Sequence, residues 1–155
     1  MKQASSSPLE KSHNTVWHAV ADANKLWYSL AEKQLSPLGI TPSEFRVLRL
    51  LSELGPCAMV KLARDQLMTP GGMTGLIDHL EDLGFIQRSR SKKDRRIINI
   101  EITKKGSGIV EKGKETYRRF LEKSLEELSE EEIDSFLRVL NKMISSVQKH
   151  EQTTK

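Results

Sequence analysis

The chain has 155 residues, a formal net charge of +4 and a sequence pI near 9.2. That length suffices for one ordinary domain with its own core. One cysteine, Cys57, excludes an internal disulfide, and no apolar run approaches membrane-spanning length.

In chain order, residues 1–10 are polar and lack periodicity, so they are expected to be a disordered tail without the apolar core of a signal peptide. A reducing cytoplasm, with association to the nucleoid, is the expected location. A helical stripe of Val16, Val20, Ala23, Leu26, Trp27 and Leu30 follows over about residues 12–36, and Ser36-Pro37-Leu38-Gly39 ends it. Thr41-Pro42-Ser43-Glu44 is a capping box with proline at the first helical position. Phe45, Leu48, Leu51 and Leu54 are expected on one face of that helix, and Gly55-Pro56 stops it. A short helix over residues 59–65 should turn Leu62, Ala63 and Leu67 inward.

The most informative stretch begins at Thr69. Met73, Leu76, Ile77, Leu80 and Leu83 recur at helical spacing, Thr69 suits the N-cap, and Gly84 suits the exit. The other face opens with Thr69, Gly71, Gly72, Thr74 and Gly75, whose small side chains permit close approach to a partner. Residues 85–90 read as a strand, and Ile98, Ile100 and Ile102 alternate along a second one. Between Arg88 and Lys105, eight Lys or Arg stand against Asp94 and Glu101, so the segment is strongly basic. A small-faced helix beside a basic β-loop is the layout of a winged helix-turn-helix, with one helix for the major groove and a wing for the backbone or minor groove.

Thr103 starts another long helix to about residue 128, in which Gly106, Gly108 and Gly113 are each expected to weaken the early turns by up to about 1 kcal/mol. Ser129-Glu130-Glu131-Glu132 is a second capping box, and an amphipathic helix from Ile133 should run to about residue 148 and then fray. The acidic block Glu122 to Asp134 should lie away from any DNA. The expected fold is therefore mainly α with a small β-hairpin wing. Residues 11–150 form one domain: a winged helix-turn-helix lobe over 41–103, with dimerisation helices over 11–38 and 104–150. Residues 151–155 are a tail. A symmetric dimer would set two reading helices on one DNA face.

These elements resemble the MarR family of transcription regulators, from about residue 19 to 140. The most specific part is Asp94-Arg95-Arg96 followed by Ile100-Glu101-Ile102-Thr103-Lys104-Lys105-Gly106. Phe45-Arg46-Val47-Leu48, Leu62-Ala63 and Leu80-Glu81-Asp82-Leu83-Gly84-Phe85-Ile86 support it. The resemblance implies an obligate homodimer that represses from palindromic operators and, in many members, releases DNA on binding a small phenolic or aromatic acid. Arg46 and Leu76 stand where urate-responding members carry Asp and Arg. Cys57 is not where peroxide-sensing members place their cysteine.

The candidate DNA-binding residues are Thr69, Gly71, Gly72, Thr74, Gly75, Arg88, Arg90, Lys92, Lys93, Asp94, Arg95 and Arg96, with Asp94 ordering the loop tip against Arg90. Trp17, Trp27 and Tyr28 are candidates to line an effector pocket, with Lys25 or Arg46 pairing a carboxylate; packing in the core and interface is the alternative. His79 is either a DNA contact or a solvated helix residue. His13, His18, His79 and His150 show no metal spacing, so neither metal nor cofactor is expected. No nucleophile–base pair or phosphate loop suggests an enzyme. The rival functions are a non-specific architectural DNA binder, which would not prefer operator over random duplex, and a winged-helix protein-interaction module, which would bind no duplex.

Overall fold

A computed structural model describes residues 8–90 and 98–153. Among these residues six α-helices and a three-stranded sheet follow in the order α1 (Pro8–Leu35), α2 (Pro42–Leu54), β1 (Cys57–Ala58), α3 (Met59–Asp65), α4 (Pro70–Asp82), β2 (Ile86–Arg90), β3 (Ile98–Ile102), α5 (Lys104–Leu125) and α6 (Glu130–Thr153), with a single 3-10 turn, Ser36–Leu38, after α1. The mainly helical winged architecture expected from the sequence is thus present. Several boundaries differ. Pro8, Leu9 and Glu10, assigned above to the tail, belong to α1, because proline fits a first helical turn that needs no N–H. At the other end α6 runs to Thr153, beyond the expected fraying point.

Both capping boxes form. Thr41 N–H donates to Glu44 Oε2 at 2.7 Å while Glu44 N–H donates to Thr41 Oγ1 at 3.3 Å. Ser129 and Glu132 make the same reciprocal pair at 2.9 and 3.3 Å, which holds the exposed Glu132 carboxyl below its usual range, chiefly through the Ser129 backbone N–H.

The sheet is antiparallel with the order β1-β3-β2, so β3 is its central strand. Ile86 pairs with Ile102, Arg88 with Ile100 and Arg90 with Ile98, while Cys57 pairs with Ile100 on the far edge. The strand β1 is an addition to the expected hairpin: two residues are too short to show a period, and only the open edge of β3 gives them partners.

The core gathers Leu35, Phe45, Leu48, Leu51, Leu62, Met73, Ile77, Leu80, Ile100 and Val110. Two inward assignments are corrected. Leu54 is more than half exposed and Val47 is buried in its stead, and Leu67 points out rather than in. Two of the three glycines of α5 also have a different role from the one expected. A Cβ on Gly106 would lie 2.0 Å from Phe85 O, and one on Gly113 would lie 2.4 Å from Phe45 Cε2. These two are buried contact points where only glycine fits, and the Phe45 ring in turn tilts against Tyr117 at 5.5 Å.

The end of α4 is tied to the start of α5 through three successive carbonyls. Lys105 Nζ donates to Leu83 O at 2.8 Å, Thr103 Oγ1 to Gly84 O at 2.8 Å, and Thr103 N–H to Phe85 O at 3.0 Å. Thr103 also caps α5, its Oγ1 accepting from Gly106 N–H at 3.1 Å.

Within the span expected as one domain, two compact units are distinguished, residues 1–118 and 119–155. The second carries α6, whose Phe136, Leu137, Val139, Ile144 and Val147 are exposed. In the first, α1 exposes Val16, Trp17, Val20, Leu26, Trp27 and Leu30.

Candidate nucleic-acid interface

The amino end of α4 is shaped by its cap. Thr69 holds an extended backbone, and its Oγ1 accepts from Gly72 N–H at 3.1 Å; Pro70 occupies the first turn. Thr74 Oγ1 donates back to Pro70 O at 2.9 Å. Met73, Ile77 and Leu80 are buried and fix the rear of the helix. Thr69, Gly71, Gly72, Thr74 and Gly75 all lie exposed together in these first turns.

A Cβ at Gly71 or Gly75 would meet nothing within 4 Å, and one at Gly72 would touch Thr69 Oγ1 at 3.2 Å. Glycine at 71 and 75 is therefore not required by the chain's own packing, in contrast to Gly106 and Gly113. Its smallness there leaves the Gly71 N–H and the positive end of the helix dipole facing outward toward an anion, Pro70 having no N–H and those of Gly72 and Met73 being taken by Thr69.

The wing strand β2 behaves differently from expectation at one position. Arg88 Nη1 pairs with Glu81 and Nη2 with Asp78, and Arg88 N–H donates to Glu81 Oε1 at 3.1 Å. These contacts raise the affinity of the guanidinium for its proton, the hydrogen bond to Asp78 most of all. Arg88, expected among the DNA-contacting cations, is thus engaged by two carboxylates of α4 and braces the wing against that helix. The reason is register: Arg88 sits opposite the buried Ile100, on the sheet face that meets α4. Neither Asp78 nor Glu81 was singled out from sequence; their i, i+3 spacing on the polar face of α4 was the available signal.

Arg90 is exposed at the outer end of β2. The remaining wing candidates, Lys92, Lys93, Asp94, Arg95 and Arg96, lie outside the described residues, as does the proposed Asp94–Arg90 contact. On the opposite face of the hairpin, Glu101 accepts from Gln87 at 3.3 Å and from Ser89 at 2.7 Å, so its charge is fastened to the strand beside it.

His79 is more than half exposed on α4, as the solvated alternative has it, and it also has a partner within the chain. Its Nδ1 hydrogen-bonds Oε1 of Glu44, whose other oxygen serves the α2 cap. Glu44 is only 5% exposed, so this contact satisfies a buried carboxylate and ties α4 to α2.

The effector candidates are dispersed. Trp27 is exposed on α1. Lys25, two residues earlier and so about 200° around the helix, pairs with Asp22 at 3.9 Å. Arg46 is exposed on α2, and Tyr28 Oη hydrogen-bonds Ser43 at 3.2 Å.

Burial pushes the Cys57 thiol up, against a smaller opposing effect of Lys61. That is the environment of an inert cysteine. Among the described residues no three His, Cys, Asp or Glu side chains could hold a metal ion, and no helix is long and apolar enough to cross a membrane.

A sequence model of the MarR family matches residues 40–98, from the approach to α2 into β3. The uncharacterized HTH-type transcriptional regulator YwhA of Bacillus subtilis is 31% identical over 97 residues, covering 63% of this chain and 70% of that one. The HTH-type transcriptional repressor Rv2887 of Mycobacterium tuberculosis is 31% identical over 109 residues, covering 70% and 78%. In structure the chain is similar to a mutant MarR from E. coli complexed with operator DNA. The TM-score is 0.81 at 22% identity, over 88% of this chain and 99% of that one, a likeness of fold.

Proposed function

The chain belongs to the MarR family of transcription regulators, which bind DNA through a winged helix and are not enzymes, and from that premise we propose a homodimeric repressor of palindromic operators. In this reading Thr69, Gly71, Gly72, Thr74 and Gly75 enter the major groove. Arg90, Lys92, Lys93, Arg95 and Arg96 reach the backbone and minor groove, with Asp94 ordering the tip and Arg88 fixing the wing to the reading helix. The observation that carries it is the start of α4: an exposed, capped helix end whose Gly71 and Gly75 answer to no contact within the chain. Few long side chains are present there, so direct base readout is modest and the wing reads groove shape.

Repression is supported by the name of the Mycobacterium relative. Dimerisation is supported by the exposed apolar residues of α1 and α6. Release by a small phenolic or aromatic acid belongs to the same proposal, with Trp27 stacking on the ring and Lys25 or Arg46 pairing the carboxylate. Because those three are dispersed on the surface, a second chain would have to complete that site.

The test is selection of bound duplexes from a random pool, followed by titration of the selected site at several salt concentrations. A palindromic site should emerge, and log affinity should fall against log salt with a slope of about −0.9 per neutralised phosphate. Replacing Arg96 with Ala should weaken the selected site by roughly 1–3 kcal/mol for each base edge that the arginine reads. Unchanged affinity in a folded Arg96→Ala protein would remove the wing from the interface. Release of DNA by a panel of hydroxybenzoic acids tests the effector, and Trp27→Ala should abolish that response while leaving DNA binding intact.

A further inference from the structure

The turn joining α3 to α4 repeats, bond for bond, the turn that ends α4. After α4, Gly84 N–H donates to Glu81 O at 2.8 Å and Phe85 N–H to Leu80 O at 2.9 Å. After α3, Leu67 N–H donates to Arg64 O at 3.1 Å and Met68 N–H to Ala63 O at 2.9 Å. This paired closure puts its turning residue in the left-handed region, usually as glycine. Gly84 obeys, with φ +71°. At φ +51°, Leu67 does not, and among the described residues it is the one non-glycine with positive φ.

A leucine in that conformation is strained where glycine is not. Inward packing of the side chain would offset the strain, yet Leu67 is 89% exposed, more than any other exposed large apolar residue described. The fold therefore gains almost nothing from the leucyl group. Its position gives the alternative use: Leu67 stands two residues before Thr69, beside the exposed start of α4. Backbone strain retained at such a place points to an external contact.

We propose that Leu67 is a specificity-determining DNA contact whose isobutyl group meets a thymine C5-methyl group at the edge of the major groove. The inference rests on the DNA-binding reading above. The C5-methyl of thymine is the distinctive apolar group that the major groove displays, and the turn places an apolar side chain next to a helix start otherwise built of small residues. A lone leucine is also far too small a surface for a stable protein–protein interface.

The experiment combines three proteins with a thymine scan. Leu67→Gly should keep the thermal unfolding midpoint or raise it by up to about 2–4 °C, while weakening the selected DNA site roughly fivefold. Leu67→Asn, which also tolerates the left-handed backbone, should weaken the site similarly, so that a loosened turn is not the cause. Replacing thymines singly by deoxyuracil should weaken wild-type binding at one position per half-site by the same factor, and have no effect there on Leu67→Gly.

A midpoint several degrees lower in Leu67→Gly would overturn the proposal by giving the side chain a role in the fold. Wild-type affinity in Leu67→Asn would overturn it, as would equal losses on selected and random duplexes, which would mean a sugar–phosphate contact. If the wild-type protein prefers no duplex at all, the DNA-binding reading itself fails, visibly before any variant is compared.

Discussion

Apolar residues are used in two ways along this chain. Between Ile40 and Ile100 they close on one another: Phe45, Leu48, Leu51, Leu62, Ile77, Leu80 and Ile100 are all buried within one polypeptide. Among the described side chains of α1 only Ala31 and Leu35 are buried, and among those of α6 none is. The lobe's stability is therefore internal, whereas the outer helices carry stripes that lower the free energy only when something covers them. Substitutions in the first region should register as folding changes in a single chain. Those in the second should register as changes in association, and those at the join between helix and wing should register on DNA.

The sharpest contrast sits inside α5. Gly106→Ala pushes a methyl group into Phe85 O and should destabilise the lobe by about 3 kcal/mol, the upper part of the usual overpacking range. Two residues on, Gly108→Ala meets nothing within 4 Å and should stabilise the same helix by up to about 1 kcal/mol. Urea denaturation of both proteins checks the opposite signs; a Gly106→Ala protein as stable as its parent would mean that the lobe is not tightly closed.

Next in size is Phe136→Glu on α6. Loss of a covered phenyl group is worth roughly 1.5–3 kcal/mol, so self-association should weaken by about tenfold or more. Sedimentation equilibrium reads this, and circular dichroism should show the helices intact. Unaltered association would remove α6 from any interface.

The smallest effect concerns the brace between α4 and β2. Asp78→Asn removes one partner of a partly exposed ion pair, so its effect on stability should stay within about 1 kcal/mol. Its value lies in sign. If Arg88 positions the wing, both Asp78→Asn and Arg88→Ala should weaken operator binding. If Arg88 itself contacts DNA, Asp78→Asn should free it and tighten binding while Arg88→Ala weakens it.

Much of the fold was legible because its signals are local. Thr41 with Glu44, Ser129 with Glu132, and Thr69 before Pro70 announce helix starts through side chains that satisfy nearby amides, and the spacing of Met73, Ile77 and Leu80 gives the buried face of α4. What escaped depends on distant neighbours. Cys57 and Ala58 form a strand only because β3 offers an edge. Gly106 and Gly113 read as helix weakeners until Phe85 and Phe45 come against them. Arg88 read as a free cation because the two carboxylates that engage it lie seven and ten residues back on another element. Leu67 looked like core because hydrophobicity alone does not give a side chain's direction.

The three carbonyls at Leu83, Gly84 and Phe85, all held by Thr103 and Lys105, leave no slack between two helices. From that rivet α4 runs out toward Thr69 as one rigid rod. Its 13 residues extend about 20 Å, so a rocking of only ~5° at the α5 end sweeps the far tip through about 1.7 Å. Displacements of that size pull donors and acceptors past bonding range. A tilt imposed at the first turn of α5 would therefore be expected to reach Thr69 and its glycines enlarged by the length of the rod, if the core around Met73 and Ile77 yielded to it.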